Sequence, residues 1–313
     1  MSLAHSHREE PFFFPAGEET LFGILTHPTD DVENGAVIVL PGGSAPTSTG
    51  RNRLSVRLTR TAAAHGWHGV RFDFHGVGES TGVAERLRLD EPFADDLLGV
   101  IRWLKDERGI TRFALVGSCF GSRTALGVSA EPAVEAMCLI AAPVRDFEMG
   151  HRISTRLALE LTMPQYVRRA LQPKVLRGLL NARKRRSYAR VMKAKWRALP
   201  KGRGGGRGGN DDWISPSFVA HLNRIGERRL PLLLLYGEGD DYLRELQAAM
   251  RGPLRHLTSR RGGSSLAVKT VPGQLHGFTH IEAQETVIRL VGDWIASIPT
   301  HGKAQAPDRV RRG

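Results

Sequence analysis

The sequence predicts an α/β fold: a mostly parallel sheet of eight strands flanked by helices, with a helical insertion between the sixth and seventh strands. Three observations predict it. Short β-rich apolar runs alternate with segments of helical spacing, the order that α/β folds produce. Those runs are apolar at successive positions, as strands buried on both faces of a parallel sheet must be. The alternation breaks once, over a long stretch with amphipathic patterns and no strand-like run.

Taken in order, Phe12-Phe13-Phe14 and Leu21 to Leu25, separated by Gly17, read as an opening β-hairpin. The six further strands are Ala36 to Leu40, Val70 to Phe74, Phe113 to Val116, Ala136 to Ile140, Leu232 to Tyr236 and Leu266 to Val271. Helical patterns cover Leu54 to Ala64, Phe93 to Lys105, Arg123 to Ala130, Tyr242 to Met250 and Ala283 to Ile298. In the interrupting stretch, Val167 with Leu171, then Val175, Leu176, Leu179 and Leu180, form apolar stripes with Arg and Lys between. It is read as a helical lid over 144–230, set into a core made of residues 1–143 and 231–300, with a disordered basic tail at 301–313. Within the lid, Lys201 to Gly209 reads as a flexible Gly/Arg joint; its likeness to a short RGG segment would instead suggest RNA.

Composition narrows the class. A chain of 313 residues leaves room for one large α/β domain or two small ones, and a hydrophobic fraction of 41% is that of an ordinary globular protein. No apolar run reaches the roughly 18 residues that span a membrane. The start, Met1 to Glu10, is polar and His-rich, unlike a signal peptide. Two cysteines make no disulfide framework, so a reducing cytoplasm is the expected compartment. No metal-ligand spacing occurs, and neither metal nor cofactor is expected.

The net charge of +13 is concentrated in one place. From His151 to Gly209 there are 17 Lys and Arg against one acidic residue, Glu160, so the remainder of the chain carries a net −3. Such a cluster attracts anions, unless it is simply a solvated helix face. Arg183, Lys184, Arg185 and Arg186 could meet phosphates, but aromatic residues beyond Tyr188 and Trp196 and any nucleic-acid reader motif are missing, so nucleic acid is not the expected partner.

The chemistry concentrates at Gly117-Ser118-Cys119-Phe120-Gly121. A buried strand runs into a helix through a turn that needs small residues two before and two after its centre. Cys119 has them; Ser118, flanked at that spacing by Val116 and Phe120, does not. The helix N-terminus beneath the thiol favours the thiolate, and the Phe120 N–H points where an oxyanion would form. Cys138, inside a strand run, reads as a buried structural cysteine.

On these residues the chain resembles the α/β-hydrolase superfamily, and within it the lidded, serine-aminopeptidase-like hydrolases, with Cys in place of the nucleophilic Ser. Arg71-Phe72-Asp73-Phe74-His75-Gly76-Val77-Gly78-Glu79-Ser80 is similar to that group's loop after the fourth strand. Leu40-Pro41-Gly42-Gly43 stands where the family has its oxyanion loop, with Pro41 in place of His, which implies the Gly43 N–H as second oxyanion donor. Tyr236-Gly237-Glu238-Gly239-Asp240 resembles the strand-seven motif that carries the acid, implying Asp240; Asp241 is the alternative, and otherwise caps the helix at Tyr242. Gly273-Gln274-Leu275-His276-Gly277-Phe278 resembles the motif of the catalytic His and implies His276, while His280 reads as a surface or capping residue.

The resemblance implies an acyl hydrolase or thioesterase working through an acyl-cysteine on a small-molecule acyl substrate. The charge of the lid adds the expectation of an anionic handle on it: a coenzyme A, a phosphopantetheine on an acidic carrier protein, or an anionic lipid or glycan. A thioester intermediate can pass its acyl group to an alcohol, amine or thiol as well as to water, so transfer or cyclisation stays open. So does a non-catalytic basic binding protein on the same frame. Oligomeric state is not indicated.

Overall fold

Strands β1 (Glu9–Ala16) and β2 (Glu19–Thr26) pair antiparallel around Gly17, whose φ of 65° glycine adopts without strain. They form the expected hairpin in a computed structural model that describes residues 7–29, 34–43, 46–83, 87–146, 148–149, 214–258, 266–275, 277–278 and 280–299. Strand β2 lies antiparallel to β4 (His68–Phe72). From there the sheet is parallel, through β3 (Ala36–Leu40), β6 (Phe113–Ser118), β7 (Val134–Ile140), β9 (Leu232–Gly237) and β10 (Leu266–Val271). The order β1-β2-β4-β3-β6-β7-β9-β10 is the mostly parallel eight-stranded sheet of the α/β-hydrolase fold. A separate antiparallel ribbon joins β5 (Leu87–Arg88) to β8 (Glu148–Met149).

Both faces of the central strands are apolar because both are covered. Ile38, Leu115, Leu139 and Leu234 pack against helices α2 (Ala94–Arg108), α3 (Phe120–Gly127), α4 (Pro216–Glu227) and α5 (Asp241–Arg251). Val37, Val39, Val116, Cys138, Leu233 and Leu235 pack against α1 (Leu54–Ala64) and α6 (Ile281–Ser297). Each such side chain contributes about 1.5–3 kcal/mol by leaving water. Helix α2 shows local sequence logic at both ends. Asp95 and Asp96 lie in its first turn, Lys105 and Arg108 in its last, and Gly109 closes it with a φ of 66°.

Some expectations shift. Helix α3 begins at Phe120 rather than Arg123, because the turn at Cys119 feeds the helix directly. Strand β4 starts at His68, which pairs with Ala36, so Phe74 falls beyond its end. Strand β10 is apolar in sequence yet lies at the sheet edge, where Val268 is 45% exposed. Asp240 occupies the N-cap position of α5 and Asp241 its first turn, one residue earlier than expected. Of the segment read as a lid, residues 147 and 150–213 lie outside the described residues; α4 buries Phe218, Leu222 and Ile225 against the core. The tail at 301–313 also lies outside them.

One buried cation ties the two flanks of that segment together. Arg123, 2% exposed, donates to the Pro143 carbonyl (3.2 Å), Asp146 Oδ1 (2.6 Å), Ser215 Oγ and Ser217 Oγ (both 2.9 Å), and its guanidinium lies over the Phe218 ring. The Ser215 N–H also donates to the Val144 carbonyl at 3.0 Å. Burial pushes the guanidinium's affinity for its proton down, opposed by Asp146. Arg123→Met should cost about 2–4 kcal/mol in urea denaturation, because it strands several polar partners. Arg289→Met, which removes an exposed 3.5 Å pair with Asp293, should stay within about 0.5 kcal/mol. Equal costs would mean that Arg123 does not clasp these segments.

Candidate active site

Parallel register brings the ends of several strands to one edge of the sheet. Leu40 lies opposite Gly117, Ser118 opposite Ile140, and Val271 opposite Gly237. The residues that follow these ends therefore gather where ligands of open α/β sheets bind. They are Pro41-Gly42-Gly43, Cys119, Glu238-Gly239-Asp240 and the loop after β10.

Cys119 joins β6 to α3 with φ 49° and ψ −107°, a strained conformation for a non-glycine residue. Its N–H donates to the Ile140 carbonyl (2.9 Å), and its carbonyl accepts from Ser122 (3.1 Å) and Arg123 (3.3 Å), which fixes the turn on both sides. The flanking glycines are sterically required. A Cβ at Gly117 would fall 2.5 Å from the Gly121 carbonyl oxygen, and one at Gly121 would fall 2.5 Å from that of Leu40. The loop after β3 passes close by, since a Cβ at Gly42 would lie 3.7 Å from Cys119 Cβ. Neither the Phe120 N–H, at the start of α3, nor the buried Gly43 N–H has an intramolecular acceptor among the described residues.

Asp240, 3% exposed, folds back over the end of β9. Its Oδ2 accepts from the N–H of Gly237 (2.7 Å) and from that of Leu275 (3.1 Å). A Cβ at Gly237 would sit 2.8 Å from that same oxygen, so the motif needs glycine there. The carboxylate thus holds the backbone immediately before position 276. Gly239 N–H donating to the Gly273 carbonyl (2.8 Å) reinforces the link.

The loop after β4 is organised by a second buried carboxylate. Asp73 accepts from the N–H of Ser48 (2.5 Å) and of Glu79 (3.4 Å), and Ser80 Oγ donates to the Asp73 carbonyl (2.7 Å). His75 Nδ1 lies 2.9 Å from Asp96 Oδ2, with its ring against Phe93. Phe93 and Phe74 pack edge-on against Phe120 beneath the turn.

Cys119 opens into a cleft lined also by Leu40, Pro41, Gly42, Arg51, Leu54, Ser55, Leu58, Gly277 and Phe278. Cys138 differs sharply: it is fully buried in β7, and burial pushes its thiol far above the usual range. On α5, burial pushes the Glu245 carboxyl up to about 6, against the pull of Arg145 at 2.8 Å. Tyr236 is also pushed up by burial, and its hydroxyl donates to the Ala142 carbonyl at 2.8 Å.

Cys119 follows β6 directly, Phe120 opens α3, and Gly43 and Asp240 each lie three residues beyond a strand end, of β3 and of β9. His276 and the run Arg183, Lys184, Arg185 and Arg186 lie outside the described residues. Asp241 is exposed, and His280 is an exposed residue at the N-cap position of α6. Sequence reasoning missed Arg51 and Arg123; an arginine inside the apolar helix that follows the Cys119 turn was the one available signal for the latter. Among the described residues no group of three His, Cys, Asp or Glu is placed to hold a metal ion, and no helix is long and apolar enough to cross a membrane.

No curated protein sequence matches the chain. Solved structures share its fold at low identity. An esterase of Pyrococcus furiosus superposes with a TM-score of 0.57 at 16% identity, covering 94% of this chain and 92% of its own. A proline iminopeptidase of Mycobacterium smegmatis gives 0.53 at 16% identity, over 91% and 97%. A dienelactone hydrolase of Anabaena variabilis gives 0.54 at 16% identity, over 93% and 97%. The sequence profile of the alpha/beta hydrolase family matches residues 37–289, which run from the second residue of β3 through β10 and include the Cys119 turn and Asp240, and the chain belongs to that family.

Proposed function

We propose that this family member is an acyl hydrolase, acting on an ester or thioester through a covalent acyl-cysteine, with Cys119 as nucleophile, His276 as base and Asp240 as the acid that orients it. The observation that carries the reading is the strained Cys119 turn at the head of α3, at the same sheet edge as a carboxylate whose Oδ2 holds Leu275, the neighbour of His276. The position of Cys119 at the centre of the turn and the esterase and dienelactone hydrolase among its fold neighbours support it.

In the first half-reaction Cys119 Sγ gives its proton to His276 and attacks the carbonyl carbon. The oxygen of that carbonyl gains the negative charge and accepts from the N–H groups of Phe120 and Gly43. As the tetrahedral centre collapses, the bond to the leaving alkoxide or thiolate breaks and His276 returns the proton to it. Water, deprotonated by His276, then attacks the thioester; the C–S bond breaks, Sγ recovers the proton, and the acid leaves. Asp240 holds the imidazole in the required tautomer and supports the imidazolium. Replacing the water by an alcohol or amine gives acyl transfer by the same steps, and a thioester intermediate is activated enough for it. The local excess of cations in 151–209 favours a substrate with an anionic handle, such as coenzyme A or a carrier-borne phosphopantetheine.

Three outcomes follow. Iodoacetamide at neutral pH should alkylate Cys119 and stop turnover while Cys138 stays unmodified until unfolding, and Cys119→Ala should be inactive. Cys119→Ser should keep a small residual rate, about a hundredfold or more below the parent, and lose transfer more than hydrolysis. Labelling of Cys138 first, or an active Cys119→Ala, would end the covalent reading.

His276→Ala should lower kcat/KM by about a thousandfold or more, and His280→Ala should retain most of it. Asp240→Asn should lose about a hundredfold or more, far beyond Asp241→Asn, because the wrong imidazole tautomer is then favoured. A reversed ranking in either pair would assign the acid or base elsewhere. Neutralising Arg183, Lys184, Arg185 and Arg186 together should raise KM for an acyl-CoA by about threefold or more, and less for a small neutral ester, with the difference shrinking as salt rises. Equal effects on both substrates would remove the anionic handle from the proposal.

A further inference from the structure

The cleft that contains Cys119 has an apolar wall, from Leu40, Leu54, Leu58 and Phe278, and, among the described residues, one fully charged side chain, Arg51. Arg51 Nη1 donates to the Gly277 carbonyl at 2.6 Å, which fixes the guanidinium at the cleft and leaves its other N–H groups unused by that contact. Among the described residues no carboxylate pairs with it, whereas Arg57, Arg60, Arg71, Arg112 and Arg123 each have an acidic partner. The backbone holds it there at a cost. The Arg51 carbonyl accepts from Leu54 and from the buried Gln284 amide, while the next two residues, Asn52 and Arg53, stand at φ 52° and 59°. A half-buried guanidinium without a counter-ion, beside an apolar surface and a nucleophile, is a binding group waiting for an anion.

We infer that Arg51 determines specificity by pairing with a carboxylate that the substrate carries near its scissile bond. This rests on the acyl-cysteine reading above and adds a charge requirement at the reacting end, separate from any handle bound by the basic segment. The planar guanidinium suits a carboxylate, which can take two parallel hydrogen bonds from its fork. A short reach is implied because Arg51 and Cys119 line one cleft.

The test uses two reagents of nearly equal size, iodoacetate and iodoacetamide, each forming an S–C bond to Cys119 with loss of iodide. The ratio of their rates at Cys119, relative to the same ratio for free glutathione, should favour the anion in the parent protein. Arg51→Gln should lower that ratio by about tenfold, Arg51→Lys should keep part of it, and salt should shrink it. An unchanged ratio in Arg51→Gln, whatever happens to the absolute rates, overturns the inference and leaves Arg51 as a brace for the 277 loop. Because alkylation needs no turnover, the result stands apart from the fate of the acyl-cysteine reading, which Cys119→Ala decides. Two ester pairs locate the carboxylate: 4-nitrophenyl hemiglutarate against hexanoate for the acyl side, and 4-carboxyphenyl against 4-acetylphenyl butyrate for the leaving-group side. Loss of anion preference in Arg51→Gln within either pair supports the pairing and names its side; retention in both overturns it.

Discussion

Above the sheet, the arrangement rests on a backbone conformation that Cys119 adopts and that its neighbours enforce. At φ 49° the chain must reverse from strand to helix within one residue, so Gly117 and Gly121 come into contact and Gly121 meets the Leu40 carbonyl. The strain of order 1–3 kcal/mol is sustained by the packing of β6 between β3 and β7 and by the Ile140 carbonyl that receives the Cys119 N–H. Relaxing it would lower the thiol into the sheet and turn the Phe120 N–H away. A turn that is costly locally is therefore what the buried sheet supports.

The Asp240 side is built on a different principle. Asp240 does not need strain; it needs backbone donors, and one oxygen takes two of them. Those bonds tie the end of β9 to the loop after β10, so the carboxylate is a structural joint as well as a candidate catalytic group. Asp73 does the same for the loops after β3 and β4 through Ser48 and Glu79. Buried carboxylates satisfied by N–H groups recur here as fasteners for loops that have no ladder of their own.

Much of this was legible in the sequence because it is local. The glycines around Cys119, the turn from Gly237 to Asp240 and the apolar strand runs each declare themselves within a few residues. What could not be read is contact between distant segments. Arg51 meets Gly277 across 226 residues and Arg123 meets Ser215 across 92, and no spacing rule connects such pairs. Exposure of β10 escaped for a related reason: Val268 and its neighbours look like a core strand, but only the sheet order shows that β10 is the last strand among the described residues. The early start of α3 belongs to the same class, since it depends on how the turn delivers the chain to the helix.

The hydrogen bond from Ser215 to the Val144 carbonyl, together with the reach of Arg123 to both flanks, has an evolutionary consequence. Chain leaving the sheet at one point and returning beside it closes a loop, and lengthening a loop costs only about 0.6 kcal/mol per doubling. The core thus carries a port at which residues can be added, removed or exchanged with little penalty to the sheet. Composition can drift there under different selection from the rest, and the separation of a +16 stretch from a remainder of −3 is the trace such drift would leave. Whatever length of chain enters and leaves at that port, the strand ends that carry Cys119 and Asp240 stay where the sheet puts them.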